Sequence, residues 1–289
     1  MSATIFTGFT LAGRIEADAR KTLASLPAAT RTLAVLQVGA TPAAIAYVDR
    51  LRDACGRIGL SLRRRELAAD ASLQQVLAAI SDLNAEADVV GILPLLPFPA
   101  DVPLTAVAAA MDPGKDVDGL HPLNAGRVAQ GLPGIAPATA SAAACVAREL
   151  LGDLRGCRAT VVGASTSVGR PLAQRLLDAG ATVTIAHVDT RDLVAACAVS
   201  ELLCVAVGRP GLITASHVRP GAVVIDIGIN QVTVGGARRI VGDADLDSVT
   251  AVARIITAVP DGVGPVTAAT LLETAAHCAA RSAASPTHR

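Results

Sequence analysis

The sequence predicts an α/β protein of two lobes built on mostly parallel sheets. Three observations carry this. Short apolar runs alternate with stretches of helical spacing along most of the 289 residues, the order in which crossover helices join parallel strands. The runs are near-continuous in Val, Ile, Leu and Ala, as expected of strands covered on both faces. A segment rich in Pro, Gly and Asp (111–137) interrupts the alternation and leaves two halves, each long enough for a core of its own. With 52 % apolar residues, no Trp, one Tyr and three Phe, that core must be aliphatic.

Taken in order, residues 11–26 show helical spacing, Thr32–Val38 reads as a strand and Pro42–Ile58 as a helix. Ser61–Leu67 reads as a strand with a charged outer face. Residues 73–83 are helical and 88–93 form a buried strand. Pro94, Pro97, Pro99 and Pro103 mark a loop before a short helix, and 111–137 is expected to be loop throughout. A helix over 139–151 bridges the lobes. In the second half, strands are expected at 159–162, 182–187, 203–206 and 222–226. A final helix covers 265–280, with Pro265 near its first turn. The expected domains are 1–138, joined by a C-terminal helix 266–289, and 139–265, with a cleft between them. The tail 282–289 is expected to fray.

The totals exclude several classes. The 25 basic and 25 acidic residues cancel, which argues against nucleic acid or an anionic membrane as the partner. The scarcity of aromatics removes stacking platforms for single strands. Six cysteines without C-x-x-C spacing read as buried thiols in a reducing compartment. No signal peptide is visible and the apolar stretches are too short to span a bilayer, so the chain reads as cytoplasmic. No cluster of His, Cys and carboxylates has metal-ligand spacing.

The segment running from Thr160 through Gly163-Ala164-Ser165-Thr166-Ser167-Val168-Gly169 to Pro171 is the strongest local signal. An apolar run ends in a small-residue turn and a helical pattern follows. That arrangement gathers backbone N–H groups and a helix dipole at one point, which suits a pyrophosphate. The next strand begins soon after, as a Rossmann-like dinucleotide-binding unit requires. Ser165 stands where such turns usually have a second Gly, so a hydroxyl replaces close backbone approach. His187 reads as a strand-end residue near the cofactor.

Seven ordered blocks carry a wider likeness: Val38-Gly39…Ala43…Tyr47-Val48; Gly91-Ile92-Leu93…Leu96-Pro97; Lys115-Asp116-Val117-Asp118-Gly119…His121-Pro122…Asn124…Gly126-Arg127; the 163–171 turn; Val207-Gly208-Arg209-Pro210-Gly211; Val224-Ile225-Asp226-Ile227-Gly228-Ile229-Asn230; and, together, Gly242-Asp243 with Val259-Pro260-Asp261-Gly262-Val263-Gly264-Pro265. On these the chain resembles the methylenetetrahydrofolate dehydrogenase/cyclohydrolase family. The family oxidises 5,10-methylenetetrahydrofolate with NADP and hydrolyses the methenyl product.

The resemblance implies that Tyr47 stacks on the pterin and that Asp118 pairs with its amino and ring N–H groups. It places Leu95, Asp261, Gly262 and Pro265 at the substrate. It places Gly163, Ala164, Ser165, Ser167, Val168, Gly169, His187, Val188, Thr190, Val207, Gly208 and Ile229 at the dinucleotide, and it implies a homodimer through the cofactor lobe. Two departures stand out: the family's active-site lysine falls at Leu51 and its glutamine at Leu95. Water attack wants a polar group to orient the water and take its proton, so cyclohydrolase activity is expected to be weak or lost. Hydride transfer needs alignment above all and is expected to survive. Ala164 and Val188 stand where family members place Arg, and Asp189 would repel a 2′-phosphate, which leans to NAD. Family habit favours NADP, and Arg191 and Arg209 remain candidate phosphate partners. A dehydrogenase for a modified folate or other one-carbon carrier, or a non-catalytic folate- or nucleotide-binding module, are the alternatives. Asp261, which replaces a family glycine, bears on both.

Overall fold

The computed structural model describes residues 2–27, 31–234 and 236–284. In chain order its elements begin with β1 (Thr4–Phe6), α1 (Phe9–Ala24), β2 (Thr32–Val38), α2 (Pro42–Ile58), β3 (Ser61–Leu67), α3 (Leu73–Ala85) and β4 (Val89–Leu95). The short helices α4 (Leu104–Ala110) and α5 (Pro122–Ala129) follow, then α6 (Ala138–Leu151), β5 (Arg158–Val162), α7 (Gly169–Asp178) and β6 (Thr182–Ala186). The remainder are α8 (Leu193–Cys197), β7 (Leu202–Val205), β8 (Val223–Asp226), β9 (Asn230–Val234), β10 (Ala237–Val241), α9 (Leu246–Thr250), β11 (Ile255–Thr257) and α10 (Val263–Ala284). Two compact units result: a first unit of residues 14–136 and 269–289, and a second unit of 1–13 and 137–268.

The first unit is built on a parallel sheet ordered β3-β2-β4. Ala34 and Leu36 of the central strand, with Ile92 of β4, pack on Val76, Ala79, Ile80 and Leu83 of α3. By strand alternation Leu33, Val35 and Gln37 point to the opposite face. Gly91 lies on that face too, because a Cβ there would run into Val117 and Leu33. Helix α2 starts where Thr41 accepts from the Ala44 N–H and Pro42 fills the first turn; it stops at Gly59, whose φ of 85° closes the αL cap. The outer strand β3 is defended by charge. Arg63 pairs with Glu86 and Asp88, and Arg65 pairs with Asp82. The free edge of β4 is met by a short parallel bridge to Asp116, with the Ile92 N–H donating to the Lys115 carbonyl at 2.7 Å.

One expected loop is in part a helix. Within 111–137 lies α5, opened by Pro122 in its first turn and by the His121 ring, whose Nδ1 accepts from the Leu123 N–H. The His-Pro pair was its signal; eight residues carrying one internal glycine hid the periodicity.

The second unit carries a six-stranded, wholly parallel sheet in the order β1-β11-β8-β7-β5-β6, with the hairpin β9–β10 beside it in sequence. Residues 1–13, grouped in the sequence reading with the N-terminal domain, belong here because β1 pairs with β11. One face of the sheet packs Val162, Leu203, Val205 and Val224 against Cys197, Ile213 and Val249. Helix α6 buries a run of alanines, whose small side chains permit close approach of α7. The three-residue strands β1 and β11, the hairpin, and the five-residue helices α8 and α9 are too short to show periodicity in sequence.

Helix α10 begins at Val263, two residues earlier than expected, and runs to Ala284. Residues 282–284 of the tail read as frayed are therefore helical, while 285–289 lie outside the described residues. Among the described residues no helix is long and apolar enough to cross a membrane, and no group of three or more His, Cys, Asp or Glu could hold a metal ion.

Candidate active site

Of the expected substrate residues, Tyr47, Leu95 and Asp118 lie in the first unit, on segments that end or follow its parallel strands, the side on which open α/β sheets bind ligands; Asp261, Gly262 and Pro265 lie in the second unit. The Lys115–Gly119 block is assembled from within. Lys115 Nζ donates to the carbonyls of Leu83, Asn84 and Glu86 at 3.1, 2.7 and 2.8 Å, closing the end of α3. Asp116 is fully buried and accepts from the N–H groups of Leu120 and His121 and from Asn124 Nδ2 at 3.0, 2.9 and 2.9 Å. Val117 fills the space left by Gly91. Asp118 follows directly, near enough to Tyr47 of α2 for its charge to act on the phenol. Burial pushes the Tyr47 phenol above its usual pKa, and the Asp118 charge pushes it further, so the ring is neutral at physiological pH. Tyr47 remains 38 % exposed, leaving ring surface to stack on.

One helical turn beyond Tyr47 stands Leu51, 4 % exposed, on the same face of α2. Leu95 is the half-buried last residue of β4. Both side chains are wholly aliphatic.

In the second unit the strand order reverses between β5 and β7, the topological switch point where a dinucleotide is held. The turn that follows β5 is set by glycine. Gly163 has φ 116°, and a Cβ there would meet the Ala206 carbonyl; a Cβ at Gly169 would meet the Gly163 carbonyl. Not all of the N–H groups expected to be unpaired are free: Ser165 Oγ accepts from the Val168 and Gly169 N–H groups at 3.1 and 3.2 Å. The hydroxyl that replaces the usual glycine thus caps the start of α7. Its own proton remains available to a phosphate oxygen, so this cradle fits the pyrophosphate of a nicotinamide dinucleotide.

After β6, the His187 N–H donates to Thr190 Oγ1 at 2.8 Å and its Nδ1 accepts from the Asp189 N–H at 3.2 Å, so the ring is tied into the turn. Val188 projects outward, 97 % exposed. Ile229 and Val207 are also well exposed. Asp261 presents its side chain to solvent while its carbonyl accepts from the Gly8 N–H at 2.7 Å. Gly262 is buried where a Cβ would strike the Thr257 side chain, and Pro265 is the third residue of α10. Val188, Val207, Ile229 and Asp261 thus present side-chain surface of the kind a ligand contact needs.

Sequence reasoning passed over a buried carboxylate pair. Asp243 accepts from the N–H groups of Val207, Gly208 and Arg209 at 2.6, 2.9 and 2.8 Å and from Asn230 Nδ2 at 2.8 Å. Asp226 in turn accepts from the N–H groups of Gly228, Asp243 and Ala244 at 3.1, 3.0 and 2.8 Å. The signal was present as Asp226 and Gly242-Asp243 in two of the seven blocks.

Burial pushes the Asp226 carboxyl up to about 6, although its backbone hydrogen bonds pull the other way. The folded chain then holds this proton more tightly than the unfolded chain, whose carboxyl titrates near pH 4. Its contribution to stability is present below about pH 4 and is lost as pH rises through about 6. The unfolding free energy of the wild type, measured relative to Asp226→Asn, is expected to fall by roughly 2–3 kcal/mol across that window and to stay flat above it. Denaturant melts at several pH values read this, and a difference that does not change with pH would refute it.

Comparison with known proteins gives a consistent result. The family described as tetrahydrofolate dehydrogenase/cyclohydrolase, catalytic domain, matches residues 6–118, and its NAD(P)-binding domain matches 137–283. The bifunctional protein FolD of Rhodospirillum centenum is 44 % identical over 257 residues, covering 86 % of this chain and 84 % of that protein. The crystal structure of the FolD methylenetetrahydrofolate dehydrogenase/cyclohydrolase from Campylobacter jejuni superposes with a TM-score of 0.91 at 36 % identity, over 96 % of this chain and 99 % of that one. The Trypanosoma brucei enzyme, solved with NADP and an inhibitor, gives 0.90 at 29 % identity, over 98 % and 99 %.

Proposed function

Because this chain belongs to the tetrahydrofolate dehydrogenase/cyclohydrolase family, we propose that it oxidises 5,10-methylenetetrahydrofolate to the 5,10-methenyl form with little or no cyclohydrolase activity. The observation that carries the reading is the retention of Tyr47 within electrostatic reach of Asp118 alongside the loss of every polar atom at 51 and 95.

Tyr47 supplies a neutral aromatic face for the pterin, and the two oxygens of Asp118 accept from its amino and ring N–H groups. Bound NAD(P) supplies the hydride acceptor. The cation left on the one-carbon unit is delocalised over two substrate nitrogens, so no protein base is obligatory. Hydrolysis asks for more: a water must be oriented and must lose a proton. Leu51 and Leu95 do neither. The paired exchange also fits polar satisfaction, since losing one partner alone would strand the other.

Around the dinucleotide, Asp189 in the turn after β6 and the absence of a cation at 164 and 188 favour acceptance of NAD at least as readily as NADP. None of the six cysteines forms a disulfide, which suits a reducing, cytoplasmic setting. A homodimer through the second unit is part of the same reading. Its edge strand β6 leaves Ile185 43 % exposed, and Leu177 of the neighbouring α7 is 55 % exposed.

Purified protein is expected to reduce NAD and NADP with methylenetetrahydrofolate, to hydrolyse methenyltetrahydrofolate no faster than buffer, and to sediment at the mass of two chains. Enzyme-dependent hydrolysis at the oxidation rate would overturn the monofunctional reading. Oxidation only of a modified folate would favour the specialised relative that the exposed Asp261 charge suggests.

A further inference from the structure

Gln37 is 1 % exposed and lies one residue from the end of the central strand β2. Its Nε2 donates to the Gly39 carbonyl at 2.6 Å. Its Oε1 is buried without a hydrogen-bond partner, the one such side-chain atom found among the described residues. A stranded acceptor of this kind is costly, and native proteins seldom keep one without a use.

Its location suggests the use. The parallel register pairs Gln37 with Leu95 of β4 on one side and Glu66 of β3 on the other. Residues paired across adjacent strands point to the same face, and the strands lie about 4.8 Å apart. Leu36 and Ile92 pack against α3 on the other face. The face shared by Gln37 and Leu95 is therefore the one opposite α3, at the C-terminal edge where this sheet would bind a ligand. The carboxamide missing at 95 is present one strand over.

We propose that Gln37 is a substrate-binding residue whose Oε1 accepts a hydrogen bond from an N–H of the reduced pterin. The inference rests on the dehydrogenase reading given above. The bond to Gly39 uses the amide nitrogen, so the oxygen is the atom left to be satisfied. A carboxamide accepts a hydrogen bond but takes no proton near neutral pH. Gln37 would thus restore recognition at the edge of the site without restoring the function of a general base, which is compatible with lost hydrolysis.

The test uses the full chain and two variants of similar bulk, Gln37→Leu and Gln37→Met. Steady-state constants are measured for methylenetetrahydrofolate and for the dinucleotide, with melting temperatures taken without ligand. Both variants are expected to raise the folate KM about tenfold and keep the dinucleotide KM within about twofold, whatever the loss of the Gly39 bond does to the melting temperature. A merely structural glutamine would show a lower melting temperature with an unchanged folate KM. That result overturns the inference. So does a fall in kcat alone, which would assign the oxygen to a water. If wild-type protein neither oxidises methylenetetrahydrofolate nor binds tetrahydrofolate in calorimetry, the functional reading itself fails. Wild-type activity with indifferent variants overturns only the role of Gln37.

Discussion

Asp118→Ala is expected to lower kcat/KM for methylenetetrahydrofolate by two to three orders of magnitude. The carboxylate is offered at the end of a segment whose architecture depends on its neighbours, Lys115, Asp116 and Val117. Each substrate donor left buried without an acceptor costs about 1–3 kcal/mol, and two of them together correspond to roughly that loss in rate. A second readout needs no substrate. Tyr47 is the sole tyrosine and the chain has no tryptophan, so phenolate absorbance reports one group. The Asp118 charge holds the Tyr47 pKa up; the variant should therefore titrate at lower pH. A phenol that titrates unchanged would separate the two residues and remove the substrate site proposed around them.

The second large effect is a gain. Leu51→Lys combined with Leu95→Gln is expected to raise methenyltetrahydrofolate hydrolysis at least about a hundredfold above wild type, the lower range for a positioned acid–base group. The single Leu51→Lys variant should be the less stable of the two. Leu51 is 4 % exposed, and an ammonium placed there without a partner bears the cost of a buried charge. Adding the glutamine supplies an acceptor. The decay of methenyl absorbance follows the reaction directly. A folded double variant with no more hydrolysis than wild type would mean that the leucines are not what silences water attack.

Much of this molecule is legible in the residues. The boundaries of β2, α2 and β3 are printed by runs such as Thr32–Val38 and by capping residues Thr41, Pro42 and Gly59. Tyr47 and Asp118, seventy-one positions apart, come together because parallel strands end on the same side, a regularity that motif order already implies. What stayed hidden depends on pairing. β1 and β11 have meaning only as neighbours. Gln37 looks like an ordinary strand residue until its register against Leu95 is known. Ser165 could be read as a phosphate donor, but not as the cap of its own helix. The Asp226–Asp243 pair joins segments separated by a whole hairpin.

That pair has a mechanical implication. One carboxylate grips three successive amides at 207–209 and the Asn230 carboxamide, and is itself seated on another. The two stretches therefore share a fate: neither can swing out while the other stays, and whatever lands on one meets a platform already set by its twin. Loss of the Asp243 carboxylate would therefore release both stretches at once.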